Sequence, residues 1–106
     1  MLNLEDKITI QELITKYNLA IDNKRLDEWI NTWTDDGIWT TTFGEAKGKS
    51  ELKNMINQIT NVFASGKRHF LTNIIIEETQ NNMASANSYL TVIEAYESTS
   101  SSLRYI

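Results

Sequence analysis

The sequence predicts an α+β fold, with helices first and an antiparallel sheet after them. Two observations carry that expectation. Up to about residue 63, apolar residues recur at steps of three and four, the period of amphipathic helices. From residue 68 onward, two long β-rich segments, "RHFLTNIIIEET" and "MASANSYLTVIEAYE", are separated by the three residues "QNN" alone. Strands joined by so short a turn are antiparallel, and helices segregated from an antiparallel sheet define the α+β class.

Residues 5 to about 21 form the first predicted helix, with Ile10, Leu13, Ile14, Tyr17, Ala20 and Ile21 as its apolar stripe. "DNKR" interrupts the pattern. A shorter helix follows, carrying Leu26, Trp29, Ile30 and Trp33 on one face. It stops at "TDDG", where Gly37 can take the left-handed conformation that closes a helix or turn. "IWTTTFG" is rich in β-branched and aromatic residues and reads as a strand, and "EAKGK" as a turn with a short strand. Ser50 is the expected N-cap of a third helix, with Glu51 near its positive end. Leu52, Met55, Ile56, Ile59 and Phe63 form that helix's buried face, and Gly66 ends it. After the two long strands, "STSSS" is a polar loop and "LRYI" opens another strand. Apolar residues on both faces of "LTNIII" suggest a sheet covered twice, once by helices and once by a partner subunit.

Composition narrows the function classes. A chain of 106 residues is one domain with a single modest core. It has no cysteine, so neither a disulfide framework nor a thiolate metal site is expected. A net charge of −4 argues against nucleic acid, whose phosphates call for a clustered excess of cations. "MLNLEDKITIQELI" carries acids early and is no signal peptide, and no apolar run is long enough to span a membrane. A soluble, cytoplasmic protein is expected. "GEAKGKS" looks like a phosphate-binding loop, but only Glu45, Ala46 and Lys47 separate its first glycine from Gly-Lys-Ser, one residue too few. Asp35–Asp36 and Glu77–Glu78 are adjacent pairs whose side chains diverge. With one histidine, no metal and no cofactor are expected, and no Gly-x-Ser-x-Gly elbow is present for acyl transfer.

Acid–base chemistry remains. His69, the single histidine, lies on a predicted strand and shares a face with Leu71, Asn73 and Ile75. Imidazole titrates near neutral pH without strong perturbation. Asp22 stands where the first helix ends and is free to turn inward. Tyr17, five residues earlier, projects about 140° away on an ideal helix, so the two share a pocket only if it wraps the helix end or the helix distorts there. The plainer readings are a satisfied strand histidine and a helix-end carboxylate.

"ITIQELITKYNLAIDNKRLDEWINTWTDDGIW", "GKSELKNMI", "GKRHFLTNIIIEE" and "ASANSYLTV" together resemble the SnoaL-like branch of the nuclear-transport-factor-2-like superfamily. The resemblance runs in order along almost the whole chain. Its most telling parts are Ala-x-Asp-x-x-x-x-Asp-x-Trp at 20–29, Asp-Asp-Gly at 35–37 and Arg-His at 68–69. It implies a cone, a curled sheet wrapped around N-terminal helices with a ligand cavity at its open end (a cystatin-like α+β roll). Members include scytalone dehydratase, bile acid dehydratase, steroid Δ-isomerase, polyketide cyclases and the small subunit of ring-hydroxylating dioxygenases. In the dehydratases an aspartate after the first helix pairs with a histidine opening a long strand, and Asp22 and His69 stand at those positions. Tyr17 matches a tyrosine near the substrate in one dehydratase branch.

Two departures stand out: members usually continue for two further strands, and the second histidine of scytalone dehydratase has no counterpart here. By position, Asn87 or Glu94 could replace it.

The expected function is a dehydratase (lyase) or isomerase for an apolar polyketide-, steroid- or aromatic-like molecule. His69 and Asp22 would handle the proton, and Tyr17 would bond a substrate oxygen. Asn73 would hold the substrate among Trp29, Trp33, Trp39, Phe43 and Phe63. The alternatives are a non-catalytic ligand- or protein-binding domain and an accessory dioxygenase subunit. A homodimer through the outer face of the long strands is expected in either case.

Overall fold

The computed structural model describes residues 1–62 and 66–94. Its elements are α1 (Leu4–Asp22), α2 (Leu26–Ile30), β1 (Ile38–Thr41), β2 (Gly44–Lys47), α3 (Gly48–Val62), β3 (Lys67–Gln80) and β4 (Met83–Glu94). The α+β class holds: helices lead, and each sheet is an antiparallel two-stranded ladder, β1 with β2 and β3 with β4. Phe63, "STSSS" and "LRYI" lie outside the described residues. The chain divides into two compact units, residues 16–65 and residues 1–15 with 66 onward, and α1 runs through both.

In the unit of residues 16–65, α1 ends in a Schellman motif. The Arg25 N–H donates to the Ala20 carbonyl at 2.8 Å and the Lys24 N–H to that of Ile21 at 3.0 Å. Lys24 supplies the left-handed turn residue, with φ 57°. This is the "DNKR" interruption, and it fixes Asp22 in the last helical turn.

The second helix is shorter than its apolar face predicts. α2 ends at Ile30, and Trp33 lies beyond it, held back by two tighter turns. Thr32 N–H donates to Trp29 O at 3.0 Å and Trp33 N–H to Ile30 O at 3.1 Å. β1 and β2 meet across a two-residue turn, Thr42–Phe43, with Trp39 opposite Ala46 on the inner face and Thr40 opposite Glu45 on the outer. "GEAKGKS" is thus an antiparallel edge followed by helix, not a phosphate loop between parallel strands.

The third helix begins two residues before the expected cap. Gly48 takes φ +80° and donates its N–H to Gly37 O at 2.9 Å, while Glu51 accepts the Lys47 N–H at 3.1 Å. Ser50 is therefore inside the first turn. Leu52 and Ile56 are buried as their spacing predicts, with Ala20, Trp29 and Ala46 completing the core of this unit.

In the other unit, β3 and β4 pair from Lys67↔Glu94 to Gln80↔Met83 around the turn residues Asn81 and Asn82. Asn82 adopts φ 61°, which asparagine tolerates. The ladder is broken once in mid-strand. Thr72 pairs with Tyr89 and Ile75 with Asn87, so three steps on β3 face two on β4. Asn73, at φ 56°, is the left-handed residue of this β-bulge.

An inserted residue resets the alternation. The expected face His69–Leu71–Asn73–Ile75 therefore does not exist. His69 (opposite Val92) and Leu71 (opposite Leu90) share their face with Ile76 (opposite Ala86), the buried residue of the strand. Ile75 joins Arg68, Phe70 and Thr72 on the other face.

The bulge yields a stability prediction. Asn73→Val should cost about 1–2 kcal/mol, the penalty for a left-handed residue with a full side chain. Asn73→Gly should cost little or nothing. Urea unfolding of both variants measures the difference, and equal loss in the two would show that the conformation is not what Asn73 supplies.

Candidate functional site

The ring cluster of residues 16–65 is built from three elements. Tyr17 comes from α1, Trp29 from α2, Trp33 from the segment after it, and Trp39 from β1. Trp29 is the hub and is 0 % exposed. Its ring centroid lies 5.5 Å from that of Tyr17, 5.6 Å from Trp33 and 5.1 Å from Trp39. Tyr17 and Trp33 are 6.1 Å apart. The tilted and edge-on arrangements are those that aromatic quadrupoles favour.

Gly37 is part of this packing, for a reason other than backbone freedom. It is not among the residues with positive φ. A Cβ there would sit 2.7 Å from Cε3 of Trp33, so only glycine lets the ring lie against the chain.

The polar edges of the cluster are unevenly satisfied. The Nε1 atoms of Trp29 and Trp33 are both buried without a hydrogen-bond acceptor. A buried donor left unmade costs about 1–3 kcal/mol, so these two atoms stand out in an otherwise apolar site. Burial raises the Tyr17 hydroxyl above the ordinary tyrosine value. The neighbouring Trp29 N–H acts in the opposite sense, favouring phenolate, although it does not reach full hydrogen-bond geometry. Desolvation dominates, and Tyr17 stays a neutral O–H donor well past neutral pH.

Asp22 is half-buried in the last turn of α1, a turn that contains no basic residue. His69 is half-buried in the third residue pair of the β3–β4 ladder, opposite Val92. The two residues that match a second histidine by position lie on different faces of the ladder. Glu94 pairs with Lys67 and so lies on the His69 face, diagonal to the imidazole; Asn87 pairs with Ile75 on the opposite face.

The structure thus brings together Tyr17, Trp29, Trp33 and Trp39. It does not bring Phe43 to them: that ring is 62 % exposed on the β1–β2 turn. Asn73 is exposed in the bulge rather than aligned with His69. What sequence reasoning missed is the pair of unsatisfied indole donors and the close fit of Gly37. The only signal for the latter is a glycine four residues after a tryptophan whose spacing predicts a helix.

Among the described residues, no group of three or more His, Asp or Glu side chains is placed to hold a metal ion. No helix there is long and apolar enough to cross a membrane.

Two measurements test the cluster. Gly37→Ala should displace the Trp33 ring and cost about 1–3 kcal/mol, the range for overpacking a filled core; a neutral variant in thermal melting would refute the close fit. The raised Tyr17 hydroxyl has a defined sign. Both states are protonated below about pH 10, the ordinary tyrosine value, so stability is intact there. Above it the unfolded chain ionises first, and stability falls as pH rises toward the folded value. Tyr17→Phe should remove that part of the alkaline loss, read from urea midpoints at about pH 8 and 11.

Comparison with known proteins agrees with this architecture. A crystal structure of a protein of unknown function with a cystatin-like fold, from Nostoc punctiforme PCC 73102, is 34% identical with a TM-score of 0.80, covering 88% of this chain and 69% of that one. A candidate aromatic ring hydroxylase from Novosphingobium aromaticivorans is 20% identical with a TM-score of 0.80, over 89% of this chain and 68% of its own. A candidate scytalone dehydratase from the same organism is 23% identical with a TM-score of 0.76, over 92% and 66% respectively. The last two likenesses, at such identities, speak to the fold alone. A search of curated proteins finds no significant match. Residues 3–103 match the SnoaL-like domain, and the chain belongs to that family.

Proposed function

We propose that this protein is a cytoplasmic acid–base enzyme, a dehydratase (lyase) or isomerase for an apolar polyketide-, steroid- or aromatic-like molecule. The observation that carries the reading is the packed Tyr17–Trp29–Trp33–Trp39 cluster, which holds a neutral hydroxyl donor, in a chain of the SnoaL-like family. Tyrosine and tryptophan rings offer flat apolar faces to a planar substrate, and their polar edges fix its orientation.

In this reading His69 removes a proton from the carbon next to a substrate carbonyl. The electron pair moves toward the oxygen, where the Tyr17 O–H stabilises the growing negative charge. For a dehydratase, the hydroxyl on the adjacent carbon leaves with that proton as water. For an isomerase, His69 returns the proton to another carbon. Asp22 stabilises the imidazolium and holds the imidazole in place. Asn73 contributes to holding the substrate.

The protein is further read as a homodimer joined through the outer face of β3 and β4. Phe70, Ile75, Tyr89 and Ile93 share one face by register and are 49–69% exposed. Arg68 and Glu77 stand near opposite ends of that face. A two-fold axis that runs the paired strands antiparallel would place Arg68 of one copy near Glu77 of the other.

His69→Asn should remain folded and lose about 10²–10⁴-fold in turnover, the size of a general acid–base contribution. Asp22→Asn should reproduce much of that loss, and the double variant should be little worse than His69→Asn, because the two act as a unit. Full turnover by folded His69→Asn would end the enzymatic reading. For the dimer, light scattering at tens of micromolar (about the concentration of a purified sample) should give twice the chain mass, and Ile75→Glu should halve it. A wild-type monomer would refute the interface.

A further inference from the structure

We propose that the cleft between the start of α1 and the tip of the β3–β4 hairpin binds a small primary amine with an apolar body, its ammonium held between the carboxylates of Asp6 and Glu78. This site shares no residue with the aromatic cluster and does not depend on the acid–base reading.

The cleft has a volume of about 650 Å³, within the range of small-molecule sites. The sequence explains why it is there. Glu78 pairs with Ala84 and Ile76 with Ala86, so two small side chains stand where larger ones would fill the space. The facing wall is α1, on which Asp6, Ile10 and Leu13 follow at steps of four and three and so share one side. Leu13 and Met83 line the cleft and remain 46% and 57% exposed, apolar surface without a cover.

The two carboxylates act on one point. Asn3 and Asp6 cap the helix reciprocally: the Asp6 N–H donates to Asn3 Oδ1 at 2.8 Å, and the Asn3 N–H donates to Asp6 Oδ2 at 3.2 Å. That pair of bonds holds the Asp6 side chain at the mouth of the cleft. Glu78 Oε1 accepts from the Met1 ammonium at 2.9 Å, and Asp6 adds its attraction to the same ammonium. The chain's own primary amine therefore marks where a cation stands. Its hold is weak, because Met1 is almost fully exposed and an ion pair in water contributes little. An incoming amine takes over the same carboxylates and also buries its body against Ile10, Leu13 and Met83.

Charge decides against other ligands. Among the described residues, no lysine, arginine or histidine lines the cleft. A carboxylate or phosphate would meet two like charges, with only the Met1 ammonium in return. A neutral molecule gains the apolar contact but not the carboxylates.

The experiment compares 2-phenylethylamine with 2-phenylethanol, which share one body and differ in the charged group. Titrated to millimolar concentration into isotope-labelled protein, the amine should shift the backbone signals of Ile10, Leu13 and Ala84. It should bind about 3- to 20-fold more tightly than the alcohol, the range for two part-exposed ion pairs. Glu78→Gln should bring the two affinities together and leave alcohol binding in place. Asp6→Asn, whose amide oxygen still accepts the Asn3 N–H, should remove part of the difference. Ala84→Leu should weaken both probes by filling the cleft. Equal affinity of the wild type for the two probes, or amine shifts confined to residues 16–62, would overturn the proposal. So would an undiminished preference for the amine in Glu78→Gln. His69→Asn should bind the amine as the wild type does, so this test and the turnover test fail independently.

Discussion

Complete burial of Trp29 is the constraint on which the helical unit depends. A tryptophan hides about 200 Å² on folding, worth about 5 kcal/mol at 25 cal/mol per Å². Its unpaired N–H takes back about 1–3 kcal/mol, so the burial still wins. That net gain explains several neighbours. α2 has five residues, too few to be stable as an isolated helix, and holds because Trp29 anchors it. Ala46 is 1% exposed beside the ring of Trp39, and a larger residue in that filled core would displace the hairpin. Gly37 is glycine because the Trp33 ring occupies the place of a Cβ.

The helices were legible because period and punctuation agreed. α1 and α3 form where their apolar steps recur, although Leu13 of the α1 stripe is exposed and Asn18, outside it, is buried; the break after Asp22 falls where "DNKR" interrupts the steps. Helix ends were less legible. Ser50 carries the right side chain for a cap, but Gly48 can adopt the positive φ that joins β2 to α3, and backbone geometry outranked side-chain preference. Trp33 continued the apolar spacing of α2 although the helix stops at Ile30. Spacing predicts which residues meet; it does not say whether helix or turn brings them there.

The site was legible in its residue types and less so in its geometry. Tyr17, Trp29, Trp33 and Trp39 were all singled out, and they do cluster. Phe43 was singled out on the same grounds and caps a hairpin turn instead, because a two-residue turn leaves its central side chains facing water. Unsatisfied donors have no sequence signature at all. They appear only once every neighbour of an indole is placed.

The bulge at Asn73 shows how one residue can arrange a sheet for two tasks. A strict period of two would put Ile75 on the His69 face and Ile76 on the face of Phe70. The extra residue exchanges them. Ile76, the buried isoleucine, then continues the face of His69 and Leu71, opposite Ala84, Ala86 and Leu90 or diagonal to them. Ile75 instead joins Phe70, Tyr89 and Ile93, making the exposed apolar face continuous across the hairpin. An asparagine amid "LTNIII" was the signal, since few other residues with a side chain accept left-handed geometry. Its polarity suggests a ligand-binding group, whereas its backbone preference marks a bulge. The conformation of Asn73 accounts for its presence in the strand whether or not its side chain also meets a ligand.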